Sequence, residues 1–189
     1  SYHPPVALFE DRLDNILLQR EFQPWWSEHG KANPADYGEE LGQARSLKRS
    51  ELVYACKYQF DVWCAGYNWL QSNEKSAADI KAYIEDTVIA HYRDHAGITA
   101  EQATAMKVIL VTHSMGGLVA RALTQLHGYE RVLGVVHGVQ PATGAPAIYH
   151  HMRCGYEGAS QIILGANAGE VTAVVARSPG ALELVPSAD

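Results

Sequence analysis

The chain has 189 residues, of which 47% are apolar and 19% are charged, and its formal net charge is −6. This composition is typical of a globular protein and excludes a disordered chain, and the scattered lysines and arginines exclude the basic stripe of a nucleic-acid binder. No apolar run reaches the roughly 18 residues that a membrane span needs. We therefore expect one domain covering 1–189.

The first fifty residues combine one helical pattern with polar sequence. Apolar residues at helical spacing predict a helix from Phe9 to Phe22, and the Pro- and Gly-punctuated residues after it predict a long loop. We interpret 1–50 as a helix-plus-loop insertion or a lid-like segment. Trp25 and Trp26 can line such a lid, although paired aromatic residues more often cover the edge of a core.

Two patterns precede the centre of the chain. Residues 57–64 alternate between apolar and polar side chains, which predicts a strand that ends before Gly66. Ser76 and Asp79 resemble a capping box, and apolar residues at three- and four-residue spacing predict a helix from there to Gly97.

The second half alternates strand and helix patterns. Apolar runs at 107–111 and 132–139 predict strands buried on both faces of a parallel sheet, and 117–126 predicts a helix closed by Gly128. A weaker strand is predicted at 160–164 and a helix at 168–176. This alternation indicates an α/β fold with a mostly parallel sheet and flanking helices.

One serine lies at the corner between the first of these strands and the helix, in Thr112-His113-Ser114-Met115-Gly116. A serine nucleophile needs a bend that exposes its hydroxyl beside a base and beside backbone N–H groups that receive the oxyanion. The α/β-hydrolase pattern at such a bend is Gly-x-Ser-x-Gly. Here the second glycine is present and Thr112 replaces the first. The sequence therefore predicts a nucleophile elbow, with Ser114 as nucleophile and the N–H of Met115 as an oxyanion donor.

Two other interpretations of this corner explain less. Ser114 as a simple helix cap would account for neither the apolar strand nor the double glycine. A phosphate-binding loop would need Gly-x-Gly-x-x-Gly or Gly-Lys-Ser/Thr, and neither is present.

The segment from His113 to Arg121 resembles the nucleophile segment of the lipase branch of the α/β-hydrolases, including lecithin–cholesterol acyltransferase-like and PGAP-like enzymes. Gly66-Tyr67-Asn68-Trp69 and the Pro–Gly loop at 139–146 are similar to two further segments of that branch. Residues 176–186 resemble a segment of bacterial lipases, among them phospholipase toxins delivered by secretion systems. The resemblance implies a three-layer α/β-hydrolase fold.

The resemblance also implies a triad acid and a histidine after the nucleophile, and a His-Gly oxyanion segment two strands before it. No such upstream strand is visible, and His137-Gly138 follows Ser114 instead of preceding it. We therefore expect these residues to be the central part of a larger hydrolase, with the acid and the histidine outside this chain. Strand edges left open would then be covered by the rest of the chain or by a partner protein.

Other titratable residues remain candidates without a decisive pattern. The histidines available for the triad are His91, His95, His127, His137, His150 and His151. The carboxylates available are Asp61, Glu157, Glu170, Glu183 and Asp189. Each carboxylate is equally explained as a solvated side chain or a helix cap. His150, His151 and Cys154 lack the spacing and the second ligand pair of a structural metal site, so we predict neither metal nor cofactor.

These observations predict a serine hydrolase that cleaves carboxylic esters of lipids. The lipid substrate is implied by the resemblance, with weaker support from aromatic residues that can wall an acyl chain: Trp25, Trp26, Trp63, Tyr67, Trp69 and Tyr149. Acyl transfer and thioester or peptide cleavage would use the same elbow, and a non-catalytic scaffold that binds a partner is a further alternative. No signal peptide is visible, so the compartment stays open, although the resemblance raises secretion or delivery as an effector, with peripheral membrane contact.

Overall fold

The computed structural model describes residues 3–24, 26, 48–95 and 97–186. They divide into two compact units, residues 1–64 and 65–189. The expectation of a single domain stays a prediction. Within the described residues, no helix is both long and apolar enough to cross a bilayer.

The first unit begins with a helix and a short hairpin. Helix α1 spans His3–Asp14, strands β1 and β2 (Leu17–Leu18 and Glu21–Phe22) pair in antiparallel fashion, and α2 spans Arg49–Ala55. The prediction of one helix from Phe9 to Phe22 was therefore wrong beyond Asp14. The hairpin turns at Gln19 and Arg20, which have φ values of 51° and 71°. Two adjacent positive φ angles make the turn whose twist matches paired strands, and a helix cannot contain them.

The strand predicted at 57–64 is absent from the described residues of this unit. Two of its backbone N–H groups donate instead to carboxylates of α1: Phe60 to Asp14 Oδ1 at 2.7 Å and Val62 to Glu10 Oε1 at 3.1 Å. The prediction of a strand here was therefore wrong: among the described residues, the alternating segment pairs with side chains of α1 and not with another strand.

The second unit has a long helical segment followed by a parallel strand pair. Its helices and strands in chain order are α3 Asn73–Tyr83, a π-helical stretch Ile84–Ile89, α4 Ala90–His95, α5 Ala100–Ala105, β3 Val108–His113, α6 Gly116–Gln125, β4 Val132–Gly138 and α7 Ala147–Cys154. A 3₁₀ turn Gly158–Ser160, α8 Gln161–Leu164, α9 Ala168–Val175 and α10 Pro179–Leu182 complete it. The strand predicted at 160–164 was wrong, because this segment is helical. The prediction of a helix at 168–176 is confirmed.

Strands β3 and β4 pair in parallel, with Thr112 opposite His137 and His113 opposite Gly138. The two strands, the helix between them and its end at Gly128, which has φ 53°, confirm the pattern read from the sequence. The α3 helix starts earlier than predicted, because Ser72 caps it and accepts from the N–H of Lys75. Ser76 is instead fully buried.

Two apolar clusters hold this unit together. The first packs α3, α5 and α6 onto one face of the strand pair, through Ala77, Ile84, Ile89, Ala103, Val119, Ala122, Leu123 and Tyr129. The second joins α7, α9 and α10 through Ile148, Val171, Val175 and Ala181. The opposite face of the strands leaves Ile109 and Val111 56% and 61% exposed. The prediction that both faces of these strands are buried is therefore wrong among the described residues, where helices cover one face only.

The N-terminal ends of the two strands are tied by one arginine. Arg131 Nη1 donates to the carbonyls of Ala103, Thr104 and Met106, and its Nε donates to Glu85 Oε1 at 2.6 Å. Tyr129 OH donates to the same carboxylate oxygen at 2.8 Å. Burial alone would raise the pKa of Glu85, but these hydrogen bonds outweigh burial and lower the pKa.

Candidate active site

The corner between β3 and α6 bends at Ser114. Its φ is 51°, in the left-handed region that L-residues other than Asn, Asp and His rarely adopt. The Ser114 N–H donates to the carbonyl of Gly138 at 2.8 Å, and the Ser114 carbonyl accepts from the N–H of Gly117 at 2.9 Å. The chain thus leaves the last rung of the parallel ladder and enters a helix within two residues, which is the geometry of a nucleophile elbow.

Thr112 and Gly116, two residues before and two residues after Ser114, are small where they approach each other. A Cβ at Gly116 would lie 3.6 Å from Thr112 Cβ and 3.7 Å from Tyr67 Oη. Thr112 fits where the family pattern has glycine because its hydroxyl turns toward β4, where it lies 3.0 Å from His137 Nδ1. The departure from the family pattern at Thr112 therefore leaves the bend intact.

The Met115 backbone N–H lies at the start of α6, directly after Ser114. Met115 precedes the first residue of α6 with helical φ and ψ of −54° and −26°, and its side chain is only 7% exposed. Among the described residues, no group accepts a hydrogen bond from the Met115 N–H. A free N–H at the start of a helix, next to the half-buried Ser114, is suited to an anionic oxygen.

The candidate histidines have other contacts. His127 Nε2 lies 3.0 Å from the Glu74 carbonyl, and His95 and His151 contact backbone carbonyls of their own helical turns. His91 stacks on His95, and His150 packs against His151. His137 contacts Thr112 on the neighbouring strand. Among the described residues, none of these rings hydrogen-bonds to the Ser114 hydroxyl.

The structure shows backbone partners for two of the candidate carboxylates. Glu183 accepts from the Asn73 N–H at 2.9 Å at the start of α3, and Glu170 accepts from the Ala166 N–H at 2.8 Å. Asp61 lies in the first unit, Glu157 precedes the 3₁₀ turn, and Asp189 lies outside the described residues. Two of the five are thus bonded to backbone N–H groups near helix starts.

The aromatic residues considered as acyl-chain walls are dispersed. Trp69 packs in the second apolar cluster and Tyr67 against the first, while Tyr149 is exposed. In the first unit, Trp26 Nε1 donates to the Arg12 carbonyl at 2.6 Å. Trp63 also lies in that unit, and Trp25 falls outside the described residues. In the described part of the chain, no group of three His, Cys, Asp or Glu side chains could hold a metal ion.

Three features of this site had weak signals or none in the sequence. Val139 follows β4 with φ 50°, although valine is typical of strands. Gln140 lies over the start of α6, so that a Cβ at Gly117 would lie 2.6 Å from Gln140 Cγ. Gly180 lies against the Met115 side chain, although the two residues are far apart in the sequence. Its sequence signal is a Pro-Gly pair, which is typical of a turn.

Comparisons with known proteins show what this region is similar to. Residues 68–155, which include both strands and the elbow, match the model of the PGAP1-like alpha/beta domain. The chain also matches a chain in the crystal structure of a Tle4–Tli4 complex, at 65% identity and a TM-score of 0.93. The match covers 98% of this chain and 36% of that chain. No curated protein sequence matches. Residues 68–155 are thus similar to the PGAP1-like alpha/beta domain, and the parallel strands and flanking helices there fit the α/β-hydrolase fold that the elbow sequence resembles.

Proposed function

We propose that the full-length protein is a serine hydrolase that cleaves carboxylic esters of lipids through an acyl-enzyme on Ser114. The single observation that carries this proposal is the bend at Ser114 between a parallel strand and a helix, where a φ of 51° places a serine hydroxyl next to the Met115 N–H, which is unbonded among the described residues. Such strain costs roughly 1–3 kcal/mol and persists where the surrounding structure demands it, most often at functional sites. The family match supports the general class of hydrolase.

In the proposed reaction, Ser114 Oγ attacks the ester carbonyl and its proton passes to a histidine. The Met115 N–H donates to the oxyanion of the tetrahedral intermediate. The histidine then gives its proton to the departing alcohol, and water cleaves the acyl-enzyme to release a carboxylic acid. We assign the histidine and its acid partner to residues outside this chain, because the six candidate histidines have other contacts and, among the described residues, none of them is hydrogen-bonded to the Ser114 hydroxyl.

The lipid substrate rests on the resemblance to lipases, and association with a partner rests on the exposed strand face. Ile109, Val111 and Val136 are all more than half exposed on neighbouring strands, which is a contiguous apolar surface. The matched structure is itself a complex, of Tle4 with Tli4. We propose that the rest of the chain or a partner covers this face, and that delivery as an effector accounts for the resemblance of 176–186 to secreted toxins.

Fluorophosphonate labelling of the full-length protein tests the proposal. We expect wild-type protein to be labelled and Ser114→Ala not to be labelled, because only an activated serine reacts with the probe. Ser160→Ala is a suitable control, since Ser160 donates to the Glu157 carbonyl in an exposed turn and should be irrelevant to labelling. Absence of labelling in the folded wild type would favour the scaffold alternative. A panel of phospholipids, neutral lipids and thioesters then separates the substrate classes.

A further inference from the structure

The C-terminal residues 178–186, which we call the tail segment, are not explained by the chemistry of Ser114. They contain α10 and lie within the region that resembles bacterial lipases. Ser178 is 5% exposed and its hydroxyl donates to the Val174 carbonyl at 2.7 Å, and Ala181 is fully buried. The tail segment is therefore an integral part of the second apolar cluster.

The tail segment packs most tightly against its neighbours at Gly180. A Cβ at this position would lie 2.5 Å from the Trp69 carbonyl oxygen and 2.8 Å from Met115 Cε, and closer still to the Gln71 carbonyl oxygen. Real Cβ atoms do not approach backbone oxygens so closely, so this position accepts only glycine without movement. The Gly180 N–H also donates to the Leu70 carbonyl at 3.4 Å. The tail backbone thus lies between the 69–71 loop and the Met115 side chain.

Two hydrogen bonds and one close backbone approach hold the part of the tail segment that follows Gly180. Glu183 Oε2 accepts from the Asn73 N–H, and the Leu184 carbonyl accepts from the Ala145 N–H at 2.7 Å. Gly144, with φ 94°, passes so close to Pro186 that a Cβ would overlap its backbone. The segment is consequently fixed to α3 and to the loop after β4, and it has little freedom to withdraw from Met115.

We propose that the tail segment is a positioning element for the oxyanion donor, acting through Gly180 and the buried Met115 side chain. This inference rests on the proposed function. Among the described residues, no group accepts a hydrogen bond from the Met115 N–H, which precedes α6. The direction of this N–H bond therefore depends on how the Met115 side chain and backbone are packed. An oxyanion donor must be held to a fraction of an ångström, and a displacement of about 1 Å can cost on the order of 10²-fold in rate.

Gly180→Ala in the full-length protein tests this inference, with Gly155→Ala as the matched control. Gly155 has an equally close backbone neighbour, since a Cβ there would lie 2.5 Å from the Asn167 nitrogen and closer to Ala166, and these contacts involve neither Ser114 nor Met115. Its φ of 86° adds backbone strain to the alanine variant, so the control is at least as destabilised. We expect both variants to lower the melting temperature. Only Gly180→Ala should lower kcat and the rate of fluorophosphonate labelling, by about 10- to 100-fold, with KM nearly unchanged.

Met115→Ala provides a second test if Gly180→Ala does not fold. It keeps the backbone N–H but removes the side chain that meets the tail, so we expect kcat to fall further in Met115→Ala than in Met115→Leu, which retains most of the side-chain volume. Equal kcat losses in Gly180→Ala and Gly155→Ala, or full activity in Met115→Ala, would overturn the inference. If Ser114→Ala still reacts with the probe, the proposed function itself fails; if labelling depends on Ser114 but is unaffected by Gly180→Ala and Met115→Ala, only the positioning role fails.

Discussion

The two parallel strands of the second unit end in corners that look alike and behave differently. Ser114 follows β3 with φ 51°, and Val139 follows β4 with φ 50°. Ser114 is half-buried and leads directly into a helix, whereas Val139 is 76% exposed and leads into a loop. Left-handed backbone is costly for a β-branched residue, so the second corner is the more strained of the two.

The difference shows that strain alone does not mark a catalytic residue. At Ser114 the bend brings together a hydroxyl and a free N–H, which are the groups that acyl transfer uses. At Val139 the bend instead follows the Gly138 carbonyl that accepts from the Ser114 N–H, and it precedes Gln140, which covers Gly117. The corner after β4 therefore contributes a hydrogen-bond acceptor and a packing contact to the corner after β3.

The largest expected effect separates the two corners by activity. Ser114→Ala should reduce ester hydrolysis by on the order of 10⁴-fold or more, because no other group can form the acyl-enzyme. Val139→Ala should keep the rate within a few-fold, since its exposed side chain supplies no reacting group. Steady-state hydrolysis of a chromogenic ester measures both. A comparable loss in Val139→Ala would mean that the second corner takes part in the chemistry.

The next largest expected effect is on stability, and it tests whether the corner at Ser114 is coupled to the corner at Val139. Gly117→Ala would place a Cβ 2.6 to 3.0 Å from Gln140 side-chain atoms, and we expect this overpacking to cost about 1–3 kcal/mol of unfolding free energy. Gln140→Ala removes two of the three overlapping atoms, so the double variant should recover part of the loss. Denaturant unfolding of the four proteins in this cycle gives the coupling. Additive losses would show that Gln140 does not constrain the elbow.

The opposite ends of the same strands provide a reference far from both corners. Hydrogen bonds lower the pKa of Glu85 from its ordinary value of 4.5. The ionised carboxylate therefore stabilises the fold at pH values above 4.5, and this contribution disappears as the pH falls through the lowered folded-state pKa. Glu85→Gln should cost roughly 1–2 kcal/mol at pH 7 and little in strong acid. Unfolding followed from pH 7 to pH 2 measures this dependence, and labelling of Ser114 at pH 7 should stay at the wild-type rate. A loss of stability that is equal at both pH values would contradict the assigned ion pair.

The smallest expected effect is a gain. Val139→Asn replaces a β-branched residue with one that tolerates left-handed backbone, and an exposed side chain loses little burial. We expect thermal unfolding to move upward, corresponding to about 0.5–1 kcal/mol. Unchanged labelling of Ser114 would then show that relief of strain at the second corner leaves the first intact. A lower melting temperature would mean that the Val139 side chain has a packing role.

The centre of the fold was predictable because its residues carry two independent signals. The apolar runs that became β3 and β4 stand next to Gly116, Gly117 and Gly128, which define where the helix begins and ends. The hairpin at Gln19 and Arg20 was not predictable, because neither residue is typical of left-handed turns. The strand expected at 57–64 has no partner strand among the described residues, and pairing is not encoded in one segment alone.

The candidate site was predictable only in its local part. Ser114 and Met115 follow from one contiguous motif, whereas the contacts of Gln140 and Gly180 depend on how distant segments pack. A strand was predicted at 160–164, where residues 161–164 form a helix, because short apolar runs fit both the helical and the strand periodicity. Sequence patterns thus located the proposed nucleophile, and tertiary packing supplied the residues that surround it.

The hydrogen bond from the Ser114 N–H to the Gly138 carbonyl also bears on how the protein folds. This bond is made by a later strand, so the elbow cannot acquire its final shape until β4 has docked beside β3. Parallel pairing is a non-local step, and loop closure must precede it, which makes it slow relative to helix formation. Recovery of Ser114 labelling during refolding would consequently report the completion of this strand pair and lag behind the recovery of helical circular dichroism.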